Sequence, residues 1–278
     1  MITIDRTIGA SIIAFGMVTA AHAARLPNLV LLLADDLGYG DLGCYGAPDV
    51  RTPHVDRMAA EGMRCTDFTV TAPLCTPSRV SFLTGRYPGR AGLATGVLRP
   101  DATNGLPSAE ITIAEVLRPL GYATAYIGKW HLGGRPGMRS RDQGFDEYFG
   151  VPHNLDRFET VHFEAEGGPP VLRNDEVVQR PAVPAELTAL YTREALSFIH
   201  RHRERPLFLV VAYQMPHIPF DASPRFRGQS ARGLYGDAIE ELDWSVGEIL
   251  HVLRALGLAS NSVVVFTSDN GPERHTPG

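Results

Sequence analysis

The sequence predicts an α/β fold, with a central, mostly parallel sheet sandwiched by helices. Two observations predict it. Four continuous apolar runs, Asn28 to Ala34, Tyr122 to Gly128, Pro206 to Tyr213 and Ser262 to Ser268, have strand length and no polar face. Runs of that kind suit strands covered on both sides, as in a parallel sheet. Between them lie helical stretches at His54 to Glu61, Pro77 to Thr84, Ile111 to Leu120, Leu187 to His202 and Tyr235 to Leu256. Strands alternating with helices imply right-handed crossovers and helices on both faces. At 278 residues, 44% hydrophobic and 21% charged, the chain has ample apolar material for one large core.

The N-terminus comes first and is unlike the rest. Ile8 to Ala20 is apolar and small, and Ala21-His22-Ala23 has the small-x-small form of a signal-peptidase site. Its basic region is weak, because Asp5 cancels Arg6, yet export with cleavage after Ala23 is the expectation, to the periplasm or beyond the cell. No stretch reaches the roughly 20 apolar residues that a membrane span needs. A net charge of −5 gives no sign of nucleic-acid binding, which favours a basic face. The three cysteines, Cys44, Cys65 and Cys75, make an odd count, which in an exported protein suggests a reactive thiol. Cys44 and Cys65 could pair or remain free. Residues 133 to 185, rich in Gly, Pro and charge, read as loops near a site. There is no internal repeat, and one domain over residues 24 to 278 is expected.

In open α/β sheets, ligands bind outside the carboxyl ends of the strands. Those ends are unusually polar here. The first run leads into Asp35-Asp36 and the last into Asp269-Asn270. Adjacent carboxylates after buried strands require neutralisation. A hard divalent cation, Ca²⁺ or Mg²⁺, selects such an oxygen-only set. The second run ends in Gly128-Lys129-Trp130-His131, where extended backbone would turn Lys129 and His131 to one side. The third ends in Gln214-Met215-Pro216-His217. Cys75 stands just before a helix expected to open at Pro77. Such an N-terminus attracts anions, and Arg79 adds a cation there.

Cys75-Thr76-Pro77-Ser78-Arg79 resembles the signature of the type I sulfatases, within the alkaline phosphatase superfamily and near its arylsulfatase A and N-acetylgalactosamine-6-sulfatase branch. The resemblance extends from Asn28 to Glu273 through Ala34 to Asp41, Gly128 to Gly133, Gly144-Phe145-Asp146, Pro216-His217, Glu241-Leu242-Asp243 and Ser268 to Gly271. It implies an alkaline-phosphatase-like fold and hydrolysis of sulfate esters. It implies that a formylglycine-generating maturation enzyme oxidises Cys75 to formylglycine, the nucleophile, whose hydrate loses a proton towards Asp269. Asp35, Asp36, Asp269 and Asn270, with the modified Cys75, would hold Ca²⁺ (Mg²⁺ in some relatives). Arg79 and Lys129 would hold the nucleophile and its sulfate, His131 would be the base that expels sulfate, and His217 would assist the leaving group. The family pattern also has a later lysine and a C-terminal subdomain. No lysine follows Asn270 here, so the resemblance implies a C-terminally truncated chain. A phosphomonoesterase or phosphodiesterase of the same superfamily, or a non-catalytic remnant that binds sulfate or glycan, are the alternatives. The particular sulfated small molecule or glycan and the oligomeric state stay open.

Overall fold

The computed structural model of the protein describes residues 25–273. The expected leader, with its cleavage after Ala23, lies outside the described residues. Among those residues, no helix is long and apolar enough to cross a membrane.

Seven strands of the described residues form one sheet: β1 (Asn28–Ala34), β2 (Ala123–Gly128), β3 (Glu147–Gly150), β4 (Val171–Arg173), β5 (Glu176–Gln179), β6 (Leu207–Ala212) and β7 (Ser262–Ser268). Their order is β5-β4-β3-β2-β6-β1-β7. The strands from β3 to β7 in that order pair in parallel, while β4 and β5 form an antiparallel hairpin on the outer edge. Among the described residues six α-helices accompany them: α1 (Pro53–Glu61), α2 (Cys75–Thr84), α3 (Ile113–Leu117), α4 (Arg157–Thr160), α5 (Pro184–His202) and α6 (Gly233–Ala255).

β1, β2 and β6 have no polar face because helices cover both faces, whereas β7, at the sheet's edge, leaves Val263 and Val265 exposed. Val30, Leu32 and Ala34 of β1, with Leu207, Leu209 and Val211 of β6, pack against Leu187 and Tyr191 of α5 and Leu242, Val246 and Ile249 of α6. The alternate residues, Leu33, Tyr126, Phe208 and Val210, meet Val80 and Leu83 of α2 and Ala114 of α3. Burying each such aliphatic side chain contributes about 1.5–3 kcal/mol, so the period-two alternation fixes which face each strand presents.

Several family-like motifs turn out to brace this frame. Asp41 accepts hydrogen bonds from Gly38 N (3.0 Å) and Tyr235 OH (2.7 Å) and pairs with Arg232. Asp146 accepts from Thr124 N (3.2 Å), while Phe145 stacks on Phe208 with ring centroids 5.8 Å apart. Asp243 accepts from His54 N (3.0 Å) and Val55 N (2.8 Å), capping α1 from α6.

Three expectations need correction. Residues 133 to 185 are not only loops: they contain β3, α4 and the β4–β5 hairpin. These elements are four residues long or shorter, too short to show a period. The helix expected over Ile111 to Leu120 is α only at Ile113–Leu117. Thr112 caps it reciprocally with Glu115, and a 3-10 turn takes over at Arg118, where Pro119 follows. The helix expected to open at Pro77 opens at Cys75, with Leu74 as an N-cap that makes no side-chain hydrogen bond. Cys44 and Cys65 are both free.

Candidate active site

Strand register assembles the site. Gly128 of β2 pairs with Ala212 of β6, Ala212 is level with Leu33 of β1, and Ala34 pairs with Ser268 of β7. The residues that leave these strands, Asp35, Lys129, Tyr213 and Asp269, therefore emerge side by side at one rim. Gly128 is required for that. Its φ is +115°, and a Cβ would lie 1.8 Å from Ala212 O. Any side chain there would push β2 off β6 and carry Lys129 away.

Asp35 and Asp36 follow β1, and both are buried. Asp36 holds φ at +62°, and its N–H donates to Asp269 Oδ1 at 3.2 Å. A left-handed backbone at a non-glycine residue costs on the order of 1–3 kcal/mol and persists where the surroundings over-determine it. One ligand atom each from Asp35, Asp36 and Asp269 lies within 4.8 Å of the other two. Asn270 Nδ2 donates to Asp36 Oδ1, while Asn270 Oδ1 is buried with no hydrogen-bond partner.

Two cations partly offset the three carboxylates. Lys129, fully buried, donates from Nζ to Asp35 Oδ2. Arg79, also buried, places Nε 2.9 Å and Nη2 2.8 Å from Asp269 Oδ2, with Nη2 also 3.4 Å from Asp35 Oδ1. Its Nη1 donates to Tyr126 OH at 3.3 Å and to the Lys129 carbonyl. Burial pushes the Asp35 carboxyl up, but Lys129, His217 and Arg79 outweigh it and hold that group below the usual range. Asp269 goes the other way. Burial and the neighbouring Asp35 charge raise it to about 6. The cluster thus carries more negative charge than its two cations balance. An orphan amide oxygen beside three carboxylates is what a hard divalent cation would use, so the donor set fits Ca²⁺ or Mg²⁺.

Cys75 faces this cluster. Its Sγ lies 3.3 Å from Asp35 Oδ1, 4.0 Å from Asp36 Oδ1 and 3.3 Å from Lys129 Nζ. Among the described residues no hydrogen bond joins it to Asp269, the acceptor that the resemblance implies. Burial and the Asp35 charge raise the thiol well above its ordinary range, so the unmodified sulfur stays protonated and is a poor nucleophile. Every other residue of the motif is also engaged. Thr76 Oγ1 donates to the His131 carbonyl at 2.9 Å and accepts from Leu98 N at 3.1 Å. Ser78 Oγ donates to the Asp269 carbonyl, and Pro77 occupies the first turn of α2.

The two histidines arrive differently. His217, beyond β6, shares with Asp35 and Cys75 a cluster of ligand atoms within 4.8 Å, and its Nε2 is 3.7 Å from Asp36 Oδ2. Its Nδ1 is 2.5 Å from the Ile218 carbonyl, which can only accept, so Nδ1 carries a proton and Nε2 faces the site. His131 does not follow Lys129 in extended backbone. Its φ is +57°, and its N–H donates to the Pro152 carbonyl at 2.9 Å. Burial, then the Lys129, Arg79 and His217 charges, lower its pKa well below the ordinary value and keep the resting ring neutral.

The structure therefore gathers Cys75, Arg79, Lys129, His217, Asp35, Asp36, Asp269 and Asn270 at one rim, with His131 electrostatically coupled to it. Tyr126, His153 and Glu159 belong to the surroundings and were not singled out from sequence. Tyr126 sits inside an apolar run and reads as core, although a tyrosine hydroxyl near a strand's carboxyl end was a usable signal.

This fold and rim define an alkaline-phosphatase-like α/β framework in which a buried cysteine faces an acidic, cation-ready cluster. The chain belongs to the sulfatase family: the family model described as Sulfatase matches residues 27–277. N-acetylgalactosamine-6-sulfatase of Mus musculus is 44% identical over 270 residues, covering 91% of this chain and 52% of the relative. Arylsulfatase A of Homo sapiens is 42% identical, covering 90% and 53%. The solved structure of Ps i-CgsB in complex with k-i-k-neocarrahexaose superimposes with a TM-score of 0.79 at 30% identity, covering 91% of this chain and 60% of that one. The chain spans about half the length of the curated relatives it matches.

Proposed function

We propose that the protein is a sulfuric ester hydrolase that cleaves aryl or carbohydrate sulfate monoesters, with formylglycine formed from Cys75 by a maturation enzyme. The observation that carries this reading is the position of Cys75 Sγ, 3.3 Å from both Asp35 Oδ1 and Lys129 Nζ, beside an unpartnered Asn270 Oδ1. Asp35, Asp36, Asp269 and Asn270, with the oxygen that would replace Sγ, would hold Ca²⁺ or Mg²⁺. Bound there, the cation supplies positive charge against the sulfuryl oxygens. Hydrated formylglycine supplies two hydroxyls on one carbon, one to attack sulfur and one whose deprotonation later releases sulfate.

The surrounding side chains serve those steps. Asp35, beside Sγ, and Asp269, across the cluster, are the acceptors available for the first hydroxyl proton. Lys129 and Arg79 fix the nucleophile and counter charge on the transferring group. As the bond between sulfur and the leaving oxygen breaks, His217 Nε2 hands that oxygen a proton. His131, neutral at rest, then takes the proton of the second hydroxyl. The carbonyl reforms and sulfate departs with the electron pair of the carbon–oxygen bond. The charged partners on the rim and the leader-like N-terminus support an exported enzyme acting on anionic substrates, with residues 24 to 278 as its catalytic portion.

The test is production with and without a formylglycine-generating enzyme. Peptide mass spectrometry should show the aldehyde at position 75 only with that enzyme, and aryl sulfate or sulfated-sugar hydrolysis should appear with it. Cys75→Ala should abolish turnover. Cys75→Ser should give at most one transfer per chain, because serine lacks the second hydroxyl. Hydrolysis by Cys75→Ala at the rate of the modified protein would refute the reading.

A further inference from the structure

One buried carboxylate touches the proposed base and has no role so far. Glu159 of α4 is almost fully buried, and its Oε1 is 3.2 Å from His131 Nε2. Its Oε2 accepts the Asn154 N–H at 2.8 Å and is 3.9 Å from His153 Nδ1. His131 Nδ1 has no hydrogen-bond partner. The Glu159 approach to Nε2 is not aligned as a hydrogen bond, the ordinary condition of a catalytic contact before substrate binds. The local chain is built to hold this pair. The His131 N–H donates to the Pro152 carbonyl, and Glu159 ties the next turn through Asn154 N.

We propose that Glu159 is a positioning residue that holds His131 in the Nε2–H tautomer, leaving Nδ1 bare to take the proton, and balances the charge His131 then carries. A carboxylate can only accept from a ring N–H, so it dictates which nitrogen is protonated. Lys129, Arg79 and His217 on the rim oppose a positive His131, and Asp269 favours it. Glu159 on α4 is the carboxylate in direct contact, while His153, the other ring against this pair, is held neutral by burial and by His131, its pKa lowered to about 4. His131, His153 and Glu159 also offer ligand atoms within 4.8 Å of one another. Lys129 and Arg79 beside them disfavour a cation there, so the charges support a proton-accepting pair rather than a metal site.

The inference rests on His131 as the base, but the tautomer is a property of the resting protein and is tested separately. In ¹⁵N-labelled wild-type protein, long-range ¹H–¹⁵N spectra should show the His131 ring protonated at Nε2 and bare at Nδ1, its signals identified by their loss in His131→Gln. A proton on Nδ1 overturns the proposal without any Glu159 variant. In the formylglycine-bearing protein, Glu159→Gln should lower kcat roughly 10²-fold or more, the range of general base contributions. Asn154 N already holds one oxygen, so the glutamine would turn its amide NH₂ to His131 and force the opposite tautomer, as in a Ser-His-Asp triad whose aspartate becomes asparagine. The proton leaves after the alcohol has departed, so KM should fall with kcat while kcat/KM stays about the same. Glu159→Asp should recover part of the loss. Wild-type kcat in Glu159→Gln, or equal losses in kcat and kcat/KM, overturns the proposal. If the modified wild type hydrolyses no sulfate ester, the functional reading fails while the tautomer measurement still decides the role of Glu159.

Discussion

Arg79 is where opposite charges of the rim meet most closely. Its guanidinium meets Asp269 twice, Asp35 once, Tyr126 OH and the Lys129 carbonyl, with almost no solvent. Removing one partner of a buried ion pair costs about 3–5 kcal/mol, because the remaining charge is stranded. Arg79→Ala should therefore shift the urea midpoint by a loss of that size. Arg79→Lys should recover less than half of it, since an ammonium lacks the planar fork that reaches two carboxylates and a carbonyl together. A midpoint within error of wild type for either variant would contradict this role for the buried pairs. At this scale the sequence is legible where a polar residue breaks an apolar run. Asp35, Asp36, Lys129, His217, Asp269 and Asn270 are all visible that way. His131 is found by a wrong route, since its backbone turns left-handed instead of running extended. Glu159 gives no signal, because its helix is only four residues long and shows no period.

The elements show how caps from distant segments replace local ones. Thr52, the N-cap of α1, makes no side-chain cap hydrogen bond, and Asp243 of α6 receives the His54 and Val55 N–H groups instead. Burial raises the Asp243 carboxyl to about 6, against the two backbone donors and His54 that lower it. A folded pKa above the unfolded one means a stability contribution present below about pH 4 and lost as pH rises through about 6. Asp243→Asn still accepts from both N–H groups and does not ionise. Its stability relative to wild type should therefore improve between pH 4 and 7, by up to about 3 kcal/mol at 1.36 kcal/mol per pKa unit. Paired melts at pH 4.5 and 7 measure this, and a pH-independent difference would sink it. The longer strands were legible as unbroken apolar runs of strand length; β1 and β7 match the sequence expectation residue for residue. The β4–β5 hairpin was missed because its strands have three and four residues. A signal did exist: Asn174-Asp175 forms the two-residue turn, with Asn174 at φ +56°.

For the whole molecule, one parallel register brings together the proposed ligands that follow β1 and β7, with Asp36 and Asp269 in contact across 233 residues of chain. Divalent cation binding should therefore report global folding. Metal-stripped protein should gain about 2.7 kcal/mol in Ca²⁺ at a hundred times its Kd. Asp36→Ala should lose that gain, and a melting temperature that ignores both Ca²⁺ and Mg²⁺ would refute the site. Among the described residues β7 is also an edge strand, with Val263 and Val265 about half exposed at 51% and 46%. Apolar edges of that kind invite strand pairing between molecules.

Under the proposed maturation, the burial of Cys75, 5% exposed at the first turn of α2, sets an order of events in the life of the chain. An enzyme that oxidises its side chain needs that thiol in its own cleft, which the closed sheet denies. Modification and folding would then compete in time, and a chain that closed first would keep an inert thiol. Slowing closure, by lower temperature or a destabilised β7, should raise the fraction of chains carrying the aldehyde, whereas incubating the folded protein with the same enzyme should leave it unchanged.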